Sequence, residues 1–182
     1  LQLQGSGRVR LADEGGGPRW LRMAFAGHND QPLQPLGRAL AALGEWREGP
    51  AAPRAAVRDW ARRNPQRLNE LLWSNPRYVF FREEPLPDPN LGPRGAQGVA
   101  LTPSRSIAVD RASIPYGTPL WLDATEPLST VPLRRLVMAQ DTGSGIVGAV
   151  RADYFWGWGA EAETRASRTK QALRLWALWP RG

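Results

Sequence analysis

Two aspartates twelve positions apart, Asp141 and Asp153 in "AQDTGSGIVGAVRADYFWGWG" at residues 139–159, are the residues of this chain best suited to chemistry. Paired carboxylates suit general acid–base work, one giving a proton and the other taking one or acting as nucleophile. The rest of the inventory offers few competitors. There is no cysteine, which excludes disulfides, thiolate nucleophiles and cysteine-held zinc. His28 is the one histidine, so a multi-histidine metal site is impossible and a Ser-His-Asp triad has a single candidate base. No metal and no cofactor is expected. Each residue also has a plainer reading. Asp141 before "TGSG" suits an Asx-turn, and Asp153 could be a solvated strand residue. Asp110, ahead of "RASIPYG", reads first as a loop holder through side-chain to backbone hydrogen bonds. Trp156 and Trp158 are either core or stacking platforms, and His28 a hydrogen-bonded loop residue.

The elements that must position these groups are short. After the proline- and glycine-rich "REEPLPDPNLGPRG" come strand candidates at "GVAL", "SIAVD", "PLWLD", "RRLVMAQD" and "GAVRADYF", separated by Pro, Gly and Ser. Such close spacing points to a small barrel rather than a doubly wound sheet. "AEAETRASRTKQA" reads as a helix and "LRLWALWP" as a terminal strand. Earlier, residues 1–11 and 19–27 alternate like strands joined by "ADEGGGP", and "RYVFF" reads as a buried strand. Between them "PLGRALAAL" and "PRAAVRDWARR" have helical spacing, and Asn64-Pro65 offers an N-cap and first-turn proline for "PQRLNELLWSN". The latter two helices are expected to pack on the early strands. The fold class is therefore mainly β with a few helices, in two parts at residues 1–84 and 85–182.

At 182 residues and 42% hydrophobic content the chain can bury one substantial core or two small ones. No apolar run approaches the roughly 20 residues that span a bilayer. With no initiator Met and no basic-then-apolar leader, it reads as a mature or truncated segment beginning inside a folded element. The formal charge is +7, carried almost wholly by arginine, with Lys170 the single lysine. That surface suits a polyanionic partner such as nucleic acid, an anionic membrane face or an acidic wall polymer, unless it is only a solvated basic face.

Taken in order, "QGSGRVRL", "FAGHN", "NPRYVFFRE", "GAQGVALTPSRSIAVDRASIPYGTPLWL", "AQDTGSGIVGAVRADYFWGWG" and "EAETRAS" resemble the successive motifs of the MltA family, membrane-bound lytic transglycosylase A. The most specific part resembles its three-aspartate "3D" module, the aspartates being Asp110, Asp141 and Asp153. The resemblance implies a double-psi β-barrel with a second β-rich domain inserted, the two enclosing a groove for glycan strands. It implies cleavage of the MurNAc-β-1,4-GlcNAc bond of peptidoglycan with formation of a 1,6-anhydromuramoyl end. By motif, Asp153 matches the family's acid/base and Asp141 its supporting aspartate. Gln4, Gly5, Ser6 and Gly7 fall on the groove wall, and Gln140, Thr142, Gly143, Ser144, Gly145, Asp110 and Trp156 among the residues that meet the glycan. The family's amino-terminal part, which completes the barrel and bears a lipoprotein signal, has no counterpart in these motifs, and Glu163 stands where a glycine is usual. A monomer in the periplasm, anchored to the outer membrane through that segment, is the implied setting, with no nucleic acid as partner.

A lytic reaction needs fewer groups than hydrolysis, because the muramoyl C6 hydroxyl attacks C1. One carboxyl can then protonate the leaving oxygen and afterwards take the C6 hydroxyl proton. Such an acid works best with a raised pKa, for which Tyr154, Phe155 and Trp156 supply apolar neighbours and Asp141 a second negative charge. Two other classes fit less of the chain: a non-catalytic, expansin-like carbohydrate-binding barrel, and a basic nucleic-acid binder supported by charge alone.

Overall fold

The structure, a computed structural model, describes residues 5–11, 19–47 and 53–180. It is mainly β with four α-helices and divides into two compact units, Leu1–Pro85 and Leu86–Gly182.

In the first unit, β1 (Ser6–Leu11), β2 (Arg19–His28) and β3 (Val79–Pro85) form an antiparallel sheet in that order. Leu21 and Ala24 of β2 are buried. β3 runs on through "REEP", a stretch expected to be linker, because Glu83 and Glu84 pair with Met23 and Arg22 of β2. Arg82 and Glu84 form an ion pair at 2.8 Å, and Pro85 falls at the strand end, where a missing N–H costs little. Nor is the strand buried as expected, since Phe80 is 52% exposed.

The helices are α1 (Leu36–Ala42), α2 (Pro53–Arg63) and α3 (Leu68–Trp73), the last preceded by a 3₁₀ turn at Pro65–Arg67. Their buried cluster of Ala39, Leu40, Trp60 and Leu71, flanked by Leu36, Trp46, Ala56 and Val57, lies among the helices themselves. The expectation that α2 and α3 rest on the early strands is corrected accordingly: the apolar faces at helical spacing find one another first. Asn64 is not a side-chain N-cap either. Its Nδ2 donates to the Trp60 carbonyl at 2.9 Å, closing the end of α2, and the chain enters α3 through the tighter turn instead.

The second unit is a curled half-barrel sheet of five strands: β4 (Ser106–Val109), β5 (Pro119–Thr125), β6 (Pro132–Asp141), β7 (Ala152–Tyr154) and β8 (Arg174–Ala177), in the order β7-β4-β6-β5-β8. β6 returns from β5 into the place between β5 and β4, so β4 and β6 run parallel while the other neighbours are antiparallel. One face buries Ile107, Val109, Leu120, Leu122, Leu133, Val137 and Ala139, which alternate along their strands as a half-covered sheet requires. Two expectations change here. "GVAL" is no strand, only Ala100 bridging to Arg94, and β7 is limited to three residues because the glycine-rich stretch before it is loop. Helix α4 (Ala160–Arg168) buries Ala162 and carries Glu161 and Glu163 in its first turn and Arg165 and Arg168 in its last, as its dipole favours.

Candidate active site

Asp141 and Asp153 lie on either side of one residue. Ala108 of β4 is the register partner of Asp141 on β6 and of Asp153 on β7. Residues level with one another across a ladder point to the same face, so the two carboxylates share the face opposite the buried core. Their Cα atoms are two strand spacings apart, roughly 9–10 Å.

That shared face depends on an irregularity. Ile107 pairs with Ala139 but Ala108 with Asp141, which leaves Gln140 as an extra residue on β6. Under strict alternation Asp141 would follow Ala139 toward the core. The bulge re-aims it, as bulges beside functional groups often do. Gln140 is itself fastened: its Oε1 accepts from Ser106 Oγ at 2.6 Å, and Ser106 Oγ accepts from the Thr102 N–H at 2.8 Å. Ser106 is fully buried.

The segment before β4 seats on this bulge. The Ala96 N–H donates to Asp141 Oδ1 at 2.9 Å, and the Gln97 N–H to the Gln140 carbonyl at 3.1 Å. A Cβ on Gly95 would stand 2.3 Å from the Gln140 oxygen and 2.7 Å from Leu101 Cδ2, so only glycine permits the approach.

Asp153 has a different environment. Its side chain is 57% exposed, and its Oδ1 accepts from Arg151 Nε at 3.1 Å and lies 3.0 Å from Arg151 Nη2. The apolar neighbours expected for it are mostly elsewhere, because successive strand residues face opposite ways. Tyr154 and Trp156 pack on the core; the Tyr154 hydroxyl donates to the Ser104 carbonyl at 2.9 Å. Trp156 donates its indole N–H to Thr169 Oγ1 at 2.8 Å and stacks with Arg165, whose guanidinium lies 5.3 Å from the ring centroid. Phe155, just past the end of β7, has its ring 6.4 Å from that of Trp158.

The loop at residues 142–150, between the two aspartates, is tethered along its length. Thr142 Oγ1 donates to the Val109 carbonyl at 2.8 Å, Ile146 is buried with its N–H on the Gly143 carbonyl at 2.9 Å, and the Gly148 N–H donates to Asp110 Oδ2 at 2.8 Å. Asp110 Oδ1 also accepts from the Ala112 N–H at 3.0 Å. The Gly148 bond and then the Ala112 bond hold the Asp110 carboxyl below its ordinary pKa range. Asp110 thus ties two loops together, and Ser144 and Gly145 stay exposed between the tethers.

The other residues of interest lie in the first unit. Gln4 is outside the described residues. Gly5, at φ 73°, accepts from the Phe25 N–H at 2.8 Å, and Ser6 and Gly7 begin β1 half-buried. His28, ending β2, accepts at Nδ1 from the Asp30 N–H at 3.0 Å. Sequence reasoning missed the Ala96 N–H, the Ser106 hydroxyl and Arg151. Only Arg151 had a readable signal, its place two residues before Asp153. Among the described residues no cluster of three His, Asp or Glu is placed to hold a metal ion.

Residues 105–179, which carry both aspartates and the bulged sheet, match the 3D domain, and residues 1–82 match the MltA specific insert domain. Through these two matches the chain is similar to the MltA family. It is 32% identical to the membrane-bound lytic murein transglycosylase A of Vibrio cholerae over 98% of this chain and 48% of that protein. The crystal structure of MltA from Neisseria gonorrhoeae superposes with a TM-score of 0.85 at 41% identity, over 100% of this chain and 44% of that one. That of E. coli MltA with bound chitohexaose gives a TM-score of 0.77 at 30% identity, over 96% and 51%. The chain thus spans about half the length of the curated relatives it matches.

Proposed function

We propose that the protein is a peptidoglycan lytic transglycosylase that cleaves the MurNAc-β-1,4-GlcNAc bond, with Asp153 as the single acid/base and Asp141 as its helper. The observation that carries this reading is the placement of both carboxylates on one face of the sheet, flanking Ala108. A protonated Asp153 gives its proton to the departing glycosidic oxygen. The carboxylate so formed then takes the proton of the C6 hydroxyl as that oxygen bonds to C1, closing the anhydro ring. No water is consumed, and Asp153 ends as it began. Asp141, fixed by the Ala96 N–H, stabilises positive charge developing at C1.

The domain reading belongs to the same proposal: residues 1–84 as an inserted glycan-groove domain and residues 85–182 as part of a double-psi barrel. On this view Gly5, Ser6 and Gly7 of the first unit and the loop from Gln140 to Gly145 of the second are each glycan-binding, and the enzyme works on the cell wall as a monomer in the periplasm, attached to the outer membrane. A relative named membrane-bound and one crystallised with a chito-oligosaccharide support the setting and the substrate class. No helix among the described residues is long and apolar enough to cross a membrane. Mass spectrometry of muropeptides released by the complete enzyme tests the reading, because an anhydro end is one water lighter than a hydrolysed end. Hydrolysed ends would overturn the lytic step, and binding without any cleavage would leave a carbohydrate-binding module.

A further inference from the structure

We infer that Arg151 reads negative charge on the muramoyl residue of the bound strand, and that in doing so it releases Asp153 for acid–base work. The inference rests on the proposed cleavage site. Arg151, just before the start of β7, reaches Asp153 within it and sets its Nε and Nη2 on one oxygen of Asp153, Oδ1. The opposite edge of the guanidinium, Nη1 with Nη2, keeps a pair of donors without a protein partner among the described residues, on a side chain that is 55% exposed. A planar guanidinium fork suits a carboxylate taken two-pronged, and here the fork is only half used.

Charge in the neighbourhood is sparse. The β4 residues level with Asp153 are uncharged, and the loop at residues 142–150 carries no charged side chain. Asp110, which follows Val109 and so falls level with Arg151, is the carboxylate nearest in the ladder, its two oxygens taken by the Gly148 and Ala112 N–H groups, and Asp141 lies beyond Ala108. An anionic ligand approaching this face therefore meets Arg151 as the cation beside the acid. The ion pair holding Arg151 is exposed on both sides, and such pairs are worth at most about a fivefold bias, so a ligand carboxylate can take the arginine over readily. The muramoyl ring supplies a candidate on the sugar that reacts: the lactyl group on O3, which ends in a carboxylate when the peptide is removed and leads to the peptide carboxylates when it is present. Chitohexaose has the same β-1,4 backbone without that arm.

The test compares these two ligands on the complete enzyme carrying Asp153→Asn, so that strands stay intact, with and without Arg151→Gln. Glycan strands stripped of peptide by an amidase should bind about tenfold more weakly once Arg151 is lost, while chitohexaose binding should change less than twofold, which also reports an intact fold. Arg151→Lys, which keeps the charge without the fork, should fall between. Equal losses on both ligands, or none on either, would overturn the inference. Cleavage by the Asp153→Asn parent would refute the proposed acid instead, and the binding comparison would still be readable.

Discussion

Replacing Gly95 by alanine should loosen the seat of Asp141 without touching either carboxylate. The added methyl would stand 2.3 Å from the Gln140 carbonyl oxygen, a backbone atom within the bulge, and 2.7 Å from Leu101 Cδ2. The segment must therefore lift, and lifting it breaks the Ala96 N–H bond to Asp141 and the Gln97 N–H bond to Gln140. A hydrogen bond to a charged acceptor contributes about 1.5–3 kcal/mol and a neutral one about 0.5–1.5. Because water can replace part of both at this exposed segment, a local loss of about 2–3 kcal/mol is expected. Amide hydrogen exchange at Ala96 and Gln97 reads it directly, as an acceleration of roughly 30- to 150-fold at 1.4 kcal/mol per decade. Gly145→Ala is the control, since a Cβ there meets nothing within 4 Å, and its effect should stay within about 0.5 kcal/mol. If the two variants exchanged alike at Ala96 and Gln97, steric seating of the segment would be refuted, and with it the anchoring of Asp141.

Trp60→Ala should cost about 3–5 kcal/mol in denaturant unfolding, because the ring is 1% exposed at the centre of the helical cluster. Leu72→Ala, at a residue 46% exposed, should cost under about 1 kcal/mol, and similar losses would mean the cluster is misassigned. Asp110 has a folded pKa below its unfolded value, so its contribution is fully present above the ordinary carboxylate range and is lost as pH falls through the lower folded value. Exchange at the Gly148 amide should accordingly rise below about pH 4 beyond the intrinsic pH trend; Asp110→Ala should abolish that added rise, and an unchanged profile would argue against the tether.

How much of this could be read from the sequence differs from element to element. Alternation placed β5 and β6 well, because each has one buried face and its apolar residues show it. It failed at "GVAL", where apolar residues serve to dock a loop: Leu101 is buried, and the N–H groups of Gly95 and Leu101 bond within the segment to Val99 and Pro93. It placed the helices but not their packing, since spacing shows which residues are buried and not against what. At the site, residue type singled out Asp141 and Asp153, and the resemblance assigned them roles. The reason they share a face is a bulge at Gln140, and an extra residue in a ladder is invisible until the partner strand is known. The environment of Asp153 was misjudged because adjacent letters were taken for adjacent side chains, whereas the aromatic neighbours Tyr154 and Trp156 pack on the core and Arg151 reaches the carboxylate.

The central claim, that Asp153 alone carries the proton, is tested most directly by counting anhydromuropeptides released per unit time by the complete enzyme and by its Asp153→Asn and Asp141→Asn variants. Asn preserves shape but cannot shuttle a proton, and general acid–base catalysis by one side chain is worth roughly 10²–10⁴-fold. Asp153→Asn should therefore lose at least about a hundredfold in turnover while still binding glycan, and Asp141→Asn, which removes a helper held on a backbone N–H, should lose less. An Asp153→Asn enzyme that kept more than about a tenth of wild-type turnover would contradict the account, because that loss lies well inside the lower bound for a catalytic acid.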